Sequence, residues 1–122
     1  MRVRAARGAI VVPEDSAPAV LEATRRLLEE MLAGNDVATD DLISVLFTVT
    51  DDLTSVFPAE AARRMGLGSV PLMCAREIPV AGAMPFVVRV LMHFHTERGL
   101  AEVTHVYLDG AEALRDDLES AP

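Results

Sequence analysis

The sequence predicts one α/β (α+β) domain in which a few helices cover a five-stranded sheet. Two observations lead to this class: five short apolar runs separated by Gly, Pro and Asp, and one long amphipathic segment near the N-terminus. The length of 122 residues is the usual size of one domain. We therefore expect a single domain over residues 1–122, with a short helix and polar tail over about 112–122.

The first two elements have the clearest patterns. A strand is predicted over Val3–Val12, because its side chains alternate and the run ends at Pro13. A long helix is predicted within residues 14–36, capped by Asp15 or Ser16 and ended by Gly34 and Asn35. Its apolar stripe consists of Val20, Leu21, Leu27, Leu28, Met31 and Leu32.

The remaining elements are shorter. A helical turn beginning at Thr39 precedes the second predicted strand. Pro58 suits the first position of a short helix and Gly66 its end. The predicted ranges are 41–50 for the second strand, 58–66 for the short helix, and 70–78, 86–94 and 103–108 for the last three strands.

Composition and charge exclude several classes of protein. A formal net charge of −8 disfavours nucleic-acid binding, which needs clustered cations, and every basic side chain is an arginine. No run approaches the roughly 20 apolar residues of a membrane span, and no signal peptide is recognisable, so we expect a cytoplasmic protein without a membrane partner. Hydrophobic residues make up 51% of the chain, which favours a homo-oligomer that buries part of this surface.

Charged residues interrupt strands that are otherwise apolar. Arg89 lies in the fourth strand, Glu77 in the third, and Arg7 shares a side of the first strand with Val3 and Val11. An unpaired charge in such a position costs several kcal/mol or more. The three residues therefore form either an internal ion pair or a site in which the excess of arginine binds an anionic small molecule.

Other reactive side chains have simpler explanations. Cys74 lacks a neighbouring base that would activate a thiolate, so we interpret it as a packing residue. His93 and His95 share one side of a strand, but no third ligand follows at a suitable spacing, and we expect no metal site. His105 is interpreted as structural, and the paired aspartates as helix caps or solvent-facing residues.

Several separated segments together resemble a known family. With "RGAIVVPED" at the start, the segments "TDDLTSVFPAEAARRMG", "VPLMCAREIPVAGAMPFVVRVL", "HVYL" and "LRDDLES" are similar to the monofunctional bacterial chorismate mutases of the trimeric α/β type. This resemblance implies a mixed five-stranded sheet that assembles as a trimeric pseudo-α/β-barrel. It also implies a cofactor-free Claisen-type rearrangement of chorismate to prephenate, in aromatic amino-acid biosynthesis, without covalent intermediate or proton transfer.

The resemblance also assigns roles to residues. Arg89 would lie at the ether oxygen, Arg7 and Tyr107 would hold the side-chain carboxylate, and Glu77 would accept from the ring hydroxyl. The main chain at Met73 and Cys74 would lie nearby. An adjacent subunit would supply Phe57, Ala59 and Leu72 as apolar walls and Arg63 at the mouth, and Leu114 and Arg115 would close over the site.

The chain departs from the family pattern at three positions. Asp116 replaces a proline of the closing segment, Thr104 replaces an arginine before "HVYL", and Glu60 stands where relatives can have lysine. Two alternatives stay open: a non-catalytic trimeric binder of a related metabolite, and an imine or enamine hydrolase of similar trimeric fold. Turnover of chorismate separates both from the mutase.

Overall fold

The computed structural model describes residues 1–115, which form five strands and two helices. Short 3-10 turns lie at Thr39–Asp41 and Leu100–Glu102, and the second of these was not predicted. The main elements are β1 (Arg2–Val11), α1 (Ala17–Gly34), β2 (Leu42–Val49), α2 (Ala59–Arg64), β3 (Leu72–Arg76), β4 (Val87–Thr96) and β5 (Val106–Leu108).

The five strands form one mixed sheet in the order β3-β2-β4-β1-β5. The central strand β4 is antiparallel to both β1 and β2. The outer pairs, β1 with β5 and β2 with β3, are parallel. The predicted fold class and mixed sheet are confirmed, while the trimeric assembly stays a prediction.

One face of the sheet carries the core, because both helices pack there. Alternate residues of β2 and β4, such as Phe47 and Phe94, are at most 1% exposed and meet Leu27 and Met31 of α1. Full burial of each such side chain contributes about 1.5–3 kcal/mol. The side of β4 that carries Val88, Val90, Met92 and Phe94 is therefore the core side.

The long helix begins and ends close to the predicted positions. The Ser16 hydroxyl accepts a hydrogen bond from the Ala19 N–H at 3.3 Å, so Ser16 rather than Asp15 is the cap. Asn35 follows the last helical residue, and its side-chain amide donates to the carbonyl oxygen of Met31 at 2.9 Å. Of the predicted stripe, Leu21 and Leu32 are only partly buried.

The opposite face of the sheet is largely open in the single chain. A small cluster of Ala9, Val87, Ala111 and Leu114 covers one end of it, where the chain turns back after β5. Residues 113–115 are helical, and the rest of the predicted tail, 116–122, lies outside the described residues. The open part of this face carries the polar side chains of the strands.

Strand ends differ from the prediction where main-chain geometry intervenes. Phe86 was expected within β4 but has a φ of 56°, which is outside the strand region. The Asp52 carboxylate accepts from its N–H at 3.1 Å and supports this conformation. β3 ends at Arg76, one residue before Glu77, although the Glu77 N–H still donates to the Val49 carbonyl oxygen at 2.9 Å.

Within residues 1–115, no helix is both long and apolar enough to cross a membrane.

Candidate functional site

The centre of the open sheet face is occupied by Arg89. In the strand register, Arg89 lies opposite Thr48 of β2 on one side and Ala9 of β1 on the other. Its neighbours Val88 and Val90 point to the core and are at most 3% exposed, so alternation directs Arg89 to the open face. The guanidinium is thereby held above the middle of a rigid sheet.

A carboxylate orients this arginine. The Arg89 Nε donates to the two Glu77 carboxylate oxygens at 3.1 and 3.2 Å, and the Thr48 hydroxyl donates to Glu77 Oε2 at 2.7 Å. The Glu77 side chain is 18% exposed and that of Arg89 is 43% exposed. The terminal Arg89 nitrogens donate to no residue among 1–115, so they remain available for a ligand.

Arg89 lines a cavity of about 310 Å³ on this face. Arg7 and Tyr107 line the same cavity, together with Leu46, Thr48 and Leu91. Its volume is at the lower end of the range for small-molecule sites. The structure therefore brings Arg7 and Arg89 together on one face of the sheet, and Glu77 is hydrogen-bonded to Arg89.

The second arginine of this cavity has no acidic partner in the described chain. The Arg7 guanidinium makes no ion pair or hydrogen bond with residues 1–115, although its main-chain N–H donates to His105 Nδ1 at 2.9 Å. Burial, and then the charges of Arg7 and Arg115, lower the pKa of His105 below its ordinary range. Arg7 and Arg89 together carry more positive charge than the Glu77 carboxylate offsets, as an anion site requires.

The predicted closing residues lie beside Tyr107. The Arg115 guanidinium stands over the Tyr107 ring at 6.0 Å from its centroid, within the range of a cation–π contact. Leu114 is 9% exposed and packs into the cluster at the end of the sheet. Asp116 lies outside the described residues.

The residues expected from an adjacent subunit lie elsewhere in the chain. Phe57 is 71% exposed and lines a separate cavity of about 560 Å³ with Cys74. This larger cavity is not cationic, since Arg76 pairs with Asp51 at 3.4 Å. It lies beside β3, which is an edge strand.

The other residues predicted near the substrate differ in exposure. Met73 is 62% exposed, whereas Leu72 and Cys74 are half-buried and pack against the core. Ala59 is buried at the start of α2. The Arg63 side chain is 53% exposed and lies 3.9 Å from the Glu60 carboxylate, which offsets part of its charge.

Sequence reasoning missed Thr48, Leu46 and Leu91 as cavity residues. Thr48 was read as an ordinary strand residue, because threonine is common in strands. The only signal that would have identified it is its position opposite Arg89, and this depends on knowing that β2 pairs with β4. His105 was read as structural, and its contact with Arg7 joins residues 98 positions apart.

Metal ligands are not clustered in the part of the chain that the structure describes. No group of three or more His, Cys, Asp or Glu side chains is suitably placed among residues 1–115. Of the two histidines considered as ligands, His93 lies 3.3 Å from the Ser44 hydroxyl through its Nδ1, and His95 is exposed.

The fold and the site together define a single-domain α+β protein with a cavity lined by two arginines on one face of its sheet. Residues 3–118 match the family model for chorismate mutase type I. The chain belongs to this family, and the predicted resemblance is confirmed.

Individual relatives agree with this assignment. The chain is 53% identical to chorismate mutase AroH of Thermus thermophilus over 98% of both chains. It is 36% identical to chorismate mutase AroH of Bacillus subtilis (strain 168), over 97% of this chain and 94% of the relative. A solved chorismate mutase from Clostridium thermocellum superposes with a TM-score of 0.89 at 44% identity, covering 90% of this chain and 98% of that one.

Proposed function

We propose that this chorismate mutase rearranges chorismate to prephenate in the cavity lined by Arg7, Arg89 and Tyr107, with Arg89 as its central catalytic residue. The observation that carries the proposal is the fixed orientation of Arg89: Glu77 holds its Nε, while its terminal nitrogens are free to meet a ligand above the sheet. The family membership supplies the activity, and the geometry supports these residue roles.

The chemical step needs a positive charge rather than a base. In the rearrangement the ether C–O bond breaks as a new C–C bond forms, and negative charge develops on the ether oxygen without transfer of a proton. A prearranged donor at such an oxygen is worth about 10²–10³ in kcat. Arg89 supplies it with little reorganisation, since Glu77 and Thr48 already hold its side chain.

Substrate binding is the role of the arginines that have no acidic partner among residues 1–115. Chorismate carries two carboxylates, and an arginine without an acidic partner, such as Arg7, is suited to bind one of them through its planar fork. Tyr107 lines the same cavity and Arg115 stands over its ring. We assign Glu77 a second role, accepting from the ring hydroxyl of the substrate.

A second subunit completes the proposed site. Phe57 is an exposed apolar side chain near one edge of the sheet, and Arg63 projects from α2. Exposed apolar groups of this size favour burial in an interface. We propose a head-to-tail homotrimer in which Phe57 and Arg63, with Ala59 and Leu72, border the neighbour's cavity, while the main chain at Met73 and Cys74 lies near Glu77.

The two alternative functions are not favoured. A non-catalytic metabolite binder and an imine or enamine hydrolase each conflict with a family match that covers residues 3–118 and with curated relatives named as mutases. We further propose that the enzyme acts in the cytoplasm and requires no cofactor.

Mixed trimers test the shared site. Arg63→Ala and Arg89→Ala variants are each purified, unfolded together at equal concentration and refolded. If each site combines Arg63 of one subunit with Arg89 of its neighbour, random trimers contain roughly one intact site in four. Activity well above both parents is the expected result. Activity equal to the parents' average, with subunit exchange demonstrated by mass-labelled chains, would place both arginines in one subunit's site.

A further inference from the structure

His105 occupies an unusual position at the end of the β1–β5 ladder. The parallel pairing of these strands begins with Gly8 opposite Val106, so Arg7 and His105 are the residues just before it. The Arg7 main-chain N–H therefore has no strand carbonyl to bond at this point. It donates instead to Nδ1 of the His105 ring at 2.9 Å.

This hydrogen bond specifies the protonation state of the ring. Nδ1 accepts a hydrogen bond from the Arg7 N–H only while it carries a lone pair, so the imidazole is neutral and its own proton lies on Nε2. The charged groups that face the ring are Arg7 from β1 and Arg115 from the C-terminal turn, and Tyr107 lies on the same side of β5. A protonated ring would be a third cation among them.

The contact acts on the main chain of a residue that lines the site. Arg7 is exposed and has no side-chain partner in residues 1–115, so the placement of its guanidinium depends on its backbone. Strand pairing with β4 holds one side of this backbone, through Leu91. On the other side, the Arg7 main-chain N–H donates to the His105 ring.

We propose that His105 is a positioning residue for Arg7, holding the Arg7 main chain through a neutral Nδ1 acceptor and releasing it when the ring is protonated. The inference rests on the proposed role of Arg7 in carboxylate binding. It predicts a loss of chorismate capture at acid pH, seen mainly as a rise in KM, since Arg89 and the chemical step are not involved.

The direction of the pH effect follows from the environment of the ring. Burial and the two arginines lower the pKa of His105 from its ordinary value of 6.5. Because the folded site disfavours the proton, the contact is complete above this value and is lost only as the pH falls through the lowered pKa of the ring. The effect therefore belongs to acid pH, below 6.5.

Two substitutions separate positioning from packing. In His105→Asn the amide Oδ1 takes the place of Nδ1 and does not titrate, whereas in His105→Gln the amide reaches toward the position of Nε2. A single hydrogen bond of about 0.5–1.5 kcal/mol corresponds to roughly a twofold to twelvefold change. We expect His105→Gln to raise KM by about this factor at pH 8, and His105→Asn to restore most of the loss.

The pH profile gives an independent readout. As the pH falls below 6.5 through the acid range in which the enzyme stays folded, kcat/KM of the parent enzyme should fall more steeply than that of His105→Asn. Other groups, including Glu77, are common to both proteins, so the difference between the profiles reports the histidine. Parallel profiles, or an unchanged KM in His105→Gln, would overturn the proposal.

Arg7→Ala distinguishes failure of this inference from failure of the proposed site. If Arg7→Ala retains the parent KM, the role of Arg7 itself is wrong. If Arg7→Ala loses affinity while His105→Gln does not, only the positioning role fails. In the Arg7→Ala background, His105→Gln should add no further rise in KM, and an added rise of the full size would show that His105 acts independently of Arg7. Thermal unfolding of each variant identifies any that are not folded.

Discussion

Replacement of Arg89 by alanine is the sharpest test of the proposed mechanism. The substitution removes the central cation of the cavity and leaves the β4 backbone and its core-facing neighbours in place. We expect kcat to fall by about 10²–10³, because the lost interaction is strongest in the transition state. Arg89→Lys should also be poor, since an ammonium cannot bond Glu77 and the substrate as a planar fork does.

The magnitudes show why the loss should be catalytic rather than structural. The catalytic effect corresponds to about 2.7–4 kcal/mol. The Arg89 side chain is 43% exposed, and Glu77 keeps its hydrogen bond from Thr48 after the substitution. We therefore expect the free energy of unfolding to fall by only about 1–2 kcal/mol. This cost lies between that of losing a surface ion pair and that of removing one partner of a buried ion pair. A domain with a typical free energy of unfolding of about 5–15 kcal/mol stays folded after a loss of this size.

The assay follows the loss of chorismate absorbance at saturating substrate, with chemical denaturation measured on the same samples. Arg25→Ala is the matched control, because Arg25 is 40% exposed and also pairs with carboxylates, on the solvent side of α1. This control should retain the parent kcat. If Arg89→Ala is folded and turns over chorismate at nearly the parent rate, Arg89 is not the catalytic cation and the assigned mechanism is wrong.

Three further predictions concern the proton, the thiol and a loop. A reaction without proton transfer should show a solvent deuterium effect on kcat close to unity, and a several-fold effect on the chemical step would exclude the mechanism. Cys74→Ala should keep kcat within about threefold of the parent because no base among residues 1–115 is hydrogen-bonded to the thiol, and a loss of about 10² would instead indicate a nucleophile. Asp15 accepts hydrogen bonds from the main chain and hydroxyls of Thr54 and Ser55, and these bonds, led by the Ser55 hydroxyl, lower the pKa of its carboxyl. Asp15→Ala should therefore speed amide hydrogen exchange at Thr54 and Ser55 above about pH 4. The difference in exchange rate from the parent should shrink at lower pH, where the parent carboxyl is protonated. Equal exchange rates at neutral pH would contradict this prediction.

The local pattern of the chain determines most of the elements and their buried faces. Alternation in β4 separates Val88, Val90 and Met92 from Arg89, and the structure buries the first three at 3% exposure or less. This works because a strand side chain has only two directions, and one of them carries the core. The same reasoning placed Arg7 and Arg89 on one face before the sheet order was known.

Long-range pairing cannot be obtained from such patterns, because alternation specifies a face and not a neighbour. The order β3-β2-β4-β1-β5 sets Thr48 opposite Arg89 and brings Glu77 within hydrogen-bond distance. From spacing alone, the Glu77–Arg89 pair could equally have been a self-contained ion pair. The tertiary structure shows that Arg89 lines a cavity that Arg7 also lines.

The sequence by itself determined the fold class, the long helix and, through several separated segments, the family. Only the tertiary structure decided the local details of the site: the contact of His105 with the Arg7 main chain, the hydrogen bond from Thr48 to Glu77, and the position of Phe86 outside β4. The physical reason is the range of the interactions. Helix and strand patterns arise from neighbours a few residues apart. The contacts of Arg7 with His105, of Thr48 with Glu77 and of Phe86 with Asp52 join residues far apart in the chain, which meet only when the sheet has formed.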